Sequence, residues 1–388
     1  MARALGIDPG TKSFDLVVVE DDKVILEKSI DTKKVALNPK ILIDAVLEIA
    51  DLDLIAGPSG YGVPVTFNKD IIDPGKFALE ILLLTRTEDI VEGRRRGHLG
   101  INVYDAIAKI VEEFWKSKLN VVYIPSVILL PTVPSYRKIN KIDMGTADKM
   151  AVAVLAIYDQ ARKYGIEYSE TSFILVELGF GYNAVIGVDK GRIVDGIGGT
   201  LASMGFLTIG AIDAEIAAMK RKWSRLDVFR GGIIDICKVD DLSEVFKRAT
   251  QGEEECINGI EAFIEGIIKS VSAMSISVRK PREILLSGRY SRIKELRKIL
   301  EERLAENYAI AIRELSGLRG AVFSKEAAQG YAIVAEGLAN GFFSKLISYT
   351  RIPEARGTVL DWVYHPGLYD AKRRLHKIYA ETVKSPRF

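Results

Sequence analysis

One stretch of this chain occurs twice at a fixed spacing, and that repetition limits the fold more than any other feature. Asp8 and Glu177 stand 169 positions apart. At the same offset Gly10 meets Gly179, and the run Phe14 to Val19 meets Asn183 to Val188 without a gap. Glu20 then meets Asp189, Asp22 meets Gly191, and Lys23-Val24 meets Arg192-Ile193. Each copy reads as strand, acidic residue, glycine turn, strand, tight turn, strand, because β-branched runs are punctuated by glycine, proline and aspartate. A supersecondary unit used twice predicts an internally duplicated α/β protein. The competing reading is two unrelated three-stranded meanders that share turn chemistry.

The rest of the pattern alternates strands with helices. Apolar spacing predicts helices over Pro39–Ala50, Asn102–Lys116, Lys149–Lys163, Glu255–Val278, Ser291–Ala305 and Ser324–Asn340, the last with Ser324 as N-cap and Gly341 as its stop. Strands are expected at Leu52–Ala56, Val121–Ile124 and Glu283–Leu286. The organisation read from this is one half over 1–165, a second over 166–341, and a tail over 342–388. The tail packs back on the body because Trp362, Tyr364 and Leu375 call for burial.

Composition excludes several classes. With 48% hydrophobic and 27% charged residues the chain can bury a normal core. A formal net charge of +2 gives no basic field for nucleic acid. Three scattered histidines and two cysteines, Cys237 and Cys256, outside any CxxC spacing argue against zinc and against a disulfide framework, hence for a reducing, cytoplasmic compartment. The N-terminus lacks a signal-peptide pattern, and no apolar run is long enough for a membrane span. Only three glutamines beside abundant Lys, Arg and Glu suit a thermophilic source.

The paired turns suggest chemistry. Backbone N–H groups of Gly10, Thr11, Lys12 and Ser13 and of Gly179, Phe180, Gly181, Tyr182 and Asn183 can form opposed anion-binding concavities, with hydroxyls from Thr11 and Ser13 and a charge from Lys12. Asp8 and Glu177 at the strand ends are the candidate catalytic carboxylates and candidate Mg²⁺ ligands. A third strand end, Ser287-Gly288-Arg289, leaves room for a ligand against backbone. Asp143 and Asp148 flank a turn at a helix entry, where they serve either as helix-terminal charge or as a general base for an alcohol acceptor. Arg94-Arg95-Arg96 with Arg86 read as a solvated charge run that could otherwise add positive charge at the site. His98 and His365 read as structural or surface residues.

LGIDPGTKSFDLVVVED resembles the first phosphate motif of the actin, Hsp70, hexokinase and acetokinase ATPase superfamily. VELGFGYNAVIGVDKGRIVDG resembles the second, ILLSGRYSRIKELRKIL the adenosine motif, and KEAAQGYAIVAEGLANG the helix after it. The order of IAGPSGYGVPV, GHLGINVYDAI and INKIDMGTADKMAVAV is most similar to the acetokinase branch, butyrate kinases in particular, and to an archaeal family of predicted butyrate kinases. The resemblance covers most of residues 3 to 341. It implies two ribonuclease-H-like domains (a duplicated βββαβαβα unit), a nucleotide site between them, ATP and Mg²⁺ as cofactors, and phosphoryl transfer to a small-molecule acceptor, a short-chain carboxylic acid. Ser59, Gly60 and Tyr61 fall on the acceptor loop. That loop has Pro58 where the family has an arginine, the segment Gly205–Gly210 lacks a second one, and the family's histidine falls near Met144. The alternative is a nucleotide-binding switch or scaffold without a small-molecule acceptor. No nucleic-acid or membrane partner is expected, and a homodimer is left open.

Overall fold

The computed structural model describes residues 2–95, 99–223 and 225–388. The duplication is visible in its two sheets. The first is ordered β3-β2-β1-β4-β6-β5, from β1 (Arg3–Pro9), β2 (Ser13–Glu20), β3 (Lys23–Asp31), β4 (Leu54–Ala56), β5 (Thr66–Phe67) and β6 (Val121–Tyr123). The second is ordered β11-β10-β7-β8-β9, from β7 (Phe173–Leu178), β8 (Asn183–Asp189), β9 (Arg192–Ile197), β10 (Glu283–Ser287) and β11 (Ala311–Glu314). In each, an antiparallel three-stranded meander carries two further strands in parallel on the far side of its first strand. This is the expected ribonuclease-H-like α/β arrangement, used twice.

The offset of 169 holds at the level of irregularities. The β2–β3 ladder slips register between Val18 and Val19, and the β8–β9 ladder slips between Gly187 and Val188. The tight turns that follow put Asp21 at φ 52° and Lys190 at φ 50°. A bulge adds twist and re-aims the strand. Two bulges and two left-handed turns at equivalent positions are hard to obtain from unrelated meanders, so the duplicated reading holds.

Helices cover the sheets: α1 (Leu99–Lys116), α2 (Ala147–Tyr164), α3 (Glu254–Met274), α4 (Lys294–Ala305), α5 (Glu326–Leu338) and α6 (Tyr369–Thr382). The sequence assigns α5 to the second half, yet the structure lays it on β1 and against α2. A Cβ on Gly6 of β1 would come within 2.2 Å of the Ala328 carbonyl, and one on Gly330 within 2.2 Å of the Ala151 carbonyl. Both contacts are backbone against backbone. They exist because Gly6, Ala151, Ala328 and Gly330 carry little or no side chain.

Local expectations fail in identifiable ways. Ser324 does not cap α5, whose N-cap is Lys325. The Ser324 hydroxyl is drawn to the Glu27 carboxylate instead. Strand β11 goes unseen in the sequence because it is a half-exposed edge of four residues. Cys237 and Cys256 are joined as a disulfide, contrary to the reading from cysteine count. They meet because a short helix, Ile233–Cys237, packs on the first turn of α3 and both sulfurs are buried. In the tail, Leu375 is buried while Tyr364 stays 55% exposed. No helix among the described residues is long and apolar enough to cross a membrane.

The α2–α5 crossing yields a direct test. Gly330→Ala forces a methyl into the Ala151 backbone and should destabilise the protein by about 2 kcal/mol, the usual range for overpacking. Urea denaturation measures this, and an unchanged midpoint would mean that the helices do not touch at backbone distance.

Candidate functional site

The two glycine turns face one another. A Cβ on Gly181 would lie 3.6 Å from the Thr11 hydroxyl. The Lys12 ammonium stands 4.4 Å from the centre of the Phe180 ring, a cation–π distance. Arg289 reaches across from the third strand end and donates to the Ser13 hydroxyl at 3.3 Å. Gly288, at φ 90°, would place a Cβ 2.8 Å from the Glu177 carboxylate, so only glycine lets that strand end lie so close. The three turns proposed from the sequence are therefore one constellation.

Beneath them the strand ends carry buried carboxylates. Asp8 pairs with Asp15 across the β1–β2 ladder, and Glu177 with Ala184 at the equivalent position of the second sheet. Ser287 lies in register beside Glu177, fully enclosed. Each carboxylate is met by a lysine. The Lys325 ammonium contacts the Asp8 carboxylate, donates to the Ser13 carbonyl at 3.1 Å, and lies 3.8 Å from Asp15. The Lys149 ammonium lies 2.7 Å from Asp148 and 2.8 Å from Glu177. Neither lysine was singled out from the sequence. Lys149 follows Asp148 in a helix-entry motif and Lys325 opens another, but their partners are far away along the chain.

Burial dominates the electrostatics. It pushes the Glu177 carboxyl up to about 7 against the pull of Lys149, with Asp148 adding to the rise. It also raises Asp8, with Lys325 opposing. Asp143 rises to about 6 for the same reason, although the Gly145 amide donates to it at 2.8 Å. Asp148 is buried as well, but Lys149 and the Thr146 hydroxyl more than offset that and hold it below its ordinary value. For both lysines burial alone would lower the basicity, and the flanking carboxylates reverse the sign.

Asp148 therefore belongs to the strand-end cluster, whereas Asp143 sits beside it against the Gly198-Gly199 turn that follows β9. The other expected residues divide. Gly10, Thr11, Lys12, Gly179, Phe180, Gly181 and Tyr182 are partly exposed or line the facing turns, and Ser13 is buried between Arg289 and the strand pair. Asn183 is 1% exposed and its amide donates to the Met204 carbonyl, which turns it away from a ligand. Ser59 is fully buried: it donates to the Gly57 carbonyl, accepts from the Ile124 amide, and meets the Tyr331 hydroxyl. It ties β4, β6 and α5 together, and so does not face an acceptor. Gly60 and Tyr61 are partly exposed beside it, and the Gly60 carbonyl accepts from the first residue of α2. Arg86 and Arg95 are exposed, as a solvated run requires, and His365 caps Gly367 at the surface. The Arg94 side chain, Arg96 and His98 lie outside the described residues.

A divalent ion fits poorly between Asp8 and Glu177 as they stand. Mg²⁺ needs near-octahedral oxygen ligands at about 2.1 Å. Both carboxylates already hold an ammonium, and no group of three or more acidic, histidine or cysteine side chains among the described residues is placed to hold a metal.

The fold, with its facing turns, is similar to that of acetate and propionate kinases of known structure. Among solved structures, the propionate kinase of Francisella tularensis has a TM-score of 0.57 at 15% identity, over 86% of this chain and 98% of that one. The acetate kinase of Porphyromonas gingivalis has a TM-score of 0.54 at 12% identity, over 90% and 100%. In sequence the chain is 23% identical over 343 residues to butyrate kinase 1 of Clostridium acetobutylicum, covering 78% of this chain and 90% of that protein. Residues 6–365 match the family described as protein of unknown function DUF1464, and the chain belongs to that family.

Titration of the site should register in stability. Asp143 ionises near 3.8 when unfolded and near 6 when folded, so the native state binds more protons between those values. Stability contributed by the neutral carboxyl is thus lost as pH rises through this window, at up to about 1.4 kcal/mol per pH unit. Asp143→Asn keeps the bond from Gly145 and should flatten that part of the curve between about pH 4 and 6. Urea melts at stepped pH would contradict the assignment if wild type and variant ran parallel.

Proposed function

We propose that the protein is an ATP-dependent phosphotransferase acting on a small-molecule acceptor, and that the acceptor is a short-chain carboxylic acid. The observation that carries this reading is the pair of facing glycine turns, with buried strand-end charges beneath them and a third glycine strand end alongside. Phosphoryl transfer asks a protein chiefly for positioning and charge neutralisation. The turns of Gly10 to Ser13 and Gly179 to Tyr182 would hold the phosphates through backbone N–H groups. Ser287, Gly288 and Arg289 would border the nucleoside, and Gly60 and Tyr61 the acceptor. Any Mg²⁺ would enter as the counter-ion of the nucleotide. A carboxylate acceptor carries its own nucleophilic oxygen and needs no base. The likeness to butyrate kinase 1 supports that class.

The reading is tested in two stages. Saturation with MgATP at about 100 times its dissociation constant should stabilise the protein by about 2.7 kcal/mol. Gly181→Val fills the space between the two turns without meeting backbone. It should therefore abolish the thermal shift while the unliganded protein still unfolds in one cooperative transition. A shift that survives this change would move the nucleotide elsewhere. Acids from acetate to isovalerate, incubated with MgATP and hydroxylamine, should then yield hydroxamates, and Asp148→Ala should remove the signal. ATP consumption without hydroxamate would transfer the proposal to an alcohol acceptor with Asp143 or Asp148 as base. ATP bound but never turned over would favour the nucleotide switch.

A further inference from the structure

Lys149 and Lys325 are built into the structure in a way that an ordinary ion pair does not require. The Lys325 ammonium fills the space that a side chain at position 10 would take, since a Cβ on Gly10 would lie only 2.1 Å from it. The first glycine turn is thus shaped around the ammonium. Two of its N–H donors are taken by Asp8 and the Ser13 carbonyl, and Asp15 lies 3.8 Å away. Lys149 is wedged between Asp148 and Glu177 with 14% of its side chain exposed, and Lys325 has 18%. Each therefore keeps an open edge. Lys149 stands in the first turn of α2 and Lys325 is the N-cap of α5, where the helix dipole adds positive potential.

We propose that Lys149 and Lys325 are the resident counter-cations for the nucleotide phosphates, and that Asp8 and Glu177 hold these ammoniums in place rather than ligating a divalent ion. This rests on the nucleotide reading above and names the charge that serves it. The charged groups about the strand ends enter the balance. Asp8, Asp15, Asp143, Asp148 and Glu177 are set against Lys149 and Lys325 below, with Lys12 and Arg289 at the rim. Asp8 and Glu177 are each occupied by an ammonium, which leaves the ammoniums as the charge that meets an incoming phosphate. Nucleotide binding then has no requirement for a divalent metal.

Calorimetric titration of ATP into the full chain, in excess EDTA and in excess Mg²⁺, tests this. The two dissociation constants should agree within about threefold. Lys325→Met frees Asp8 and should weaken binding in EDTA by about tenfold or more, with recovery in Mg²⁺. Should that variant fail to fold, Lys325→Met combined with Asp8→Asn removes both charges of the pair, a change buried pairs often tolerate. It should lose the same affinity in EDTA without recovery in Mg²⁺. Mn²⁺ added to nucleotide-free protein and followed by electron paramagnetic resonance should find no stoichiometric site in the wild type and one in Lys325→Met. A loss of more than about tenfold in wild-type affinity on adding EDTA, or a tight Mn²⁺ site in the nucleotide-free wild type, overturns the proposal. Absence of ATP binding in both buffers, with the protein folded, overturns the nucleotide reading itself, and the Mn²⁺ titration still decides whether the carboxylates are closed to metal.

Discussion

The arrangement hangs on the crossing of α2 and α5. Gly330 lies on the Ala151 backbone, and Gly6 lies under Ala328 and Ala332, so α5 is clamped between β1 and α2 at distances only glycine and alanine permit. Side chains at these positions would separate the helices by several ångströms, toward the ordinary interaxial spacing of 8–10 Å. The helix starts would then recede from the strand ends. With the crossing tight, the N-terminus of α5 delivers Lys325 to the end of β1, and that of α2 delivers Lys149 to the end of β7. One packing contact thus sets the register of charge at both copies of the repeat.

The far end of α2 is fixed by a different interaction. Glu283, fully buried on β10, takes a two-pronged bond from Arg313 at 2.7 and 2.8 Å, accepts from Gln160 at 2.8 Å, and accepts from Tyr164 at 3.0 Å. Arg313 also reaches Asp159 at 2.7 Å. A fork-shaped guanidinium that bonds one buried carboxylate and pairs with a second is geometrically demanding. It ties α2 to the second sheet, while Gly330 ties it to α5 and the first. Helix α2 is therefore common to both halves, and its lysine is held from two directions.

The doubled meander was legible because strands and turns are local and their chemistry is written in adjacent residues. The two bulges seen in the structure are related by the same offset of 169. Which sheet α5 covers was not legible, since an alanine-rich helix buried on every side has no single apolar face to assign. The lysines were hidden for the opposite reason. A Lys beside an Asp at a helix entry reads as surface charge, and only folding brings Lys325 to Asp8, 317 positions away. The Ser324 cap failed because the N-cap of α5 falls one residue later, at Lys325, and the Ser324 hydroxyl donates to Glu27 and accepts from the Gln329 side-chain amide. Ser59 and Asn183 sit in the right motifs, but the Ser59 hydroxyl is spent on the Gly57 carbonyl and the Ile124 amide, and the Asn183 amide on the Met204 carbonyl. A motif fixes where a residue lies along the chain, not which way it points.

Stability alone gives little reason for the two lysine–carboxylate pairs. Bringing a buried pair out of water costs several kcal/mol per ion, and well-packed apolar residues in its place are often neutral or better. The Asp8 and Glu177 carboxyls are displaced upward even with their partners present, so the pairs do not fully offset the desolvation. A site built only for stability would have no acid there and no lysine. What the pairs provide is positive charge that is already ordered, partly desolvated and open on one side at the point where the two glycine turns converge. In such surroundings an ammonium acts on an incoming anion far more strongly than in water, and needs no reorganisation to do so. Gly10 connects the two levels of the argument. Its missing side chain was read from the sequence as room for phosphate, and in the structure that room is shared with the ammonium that would meet it.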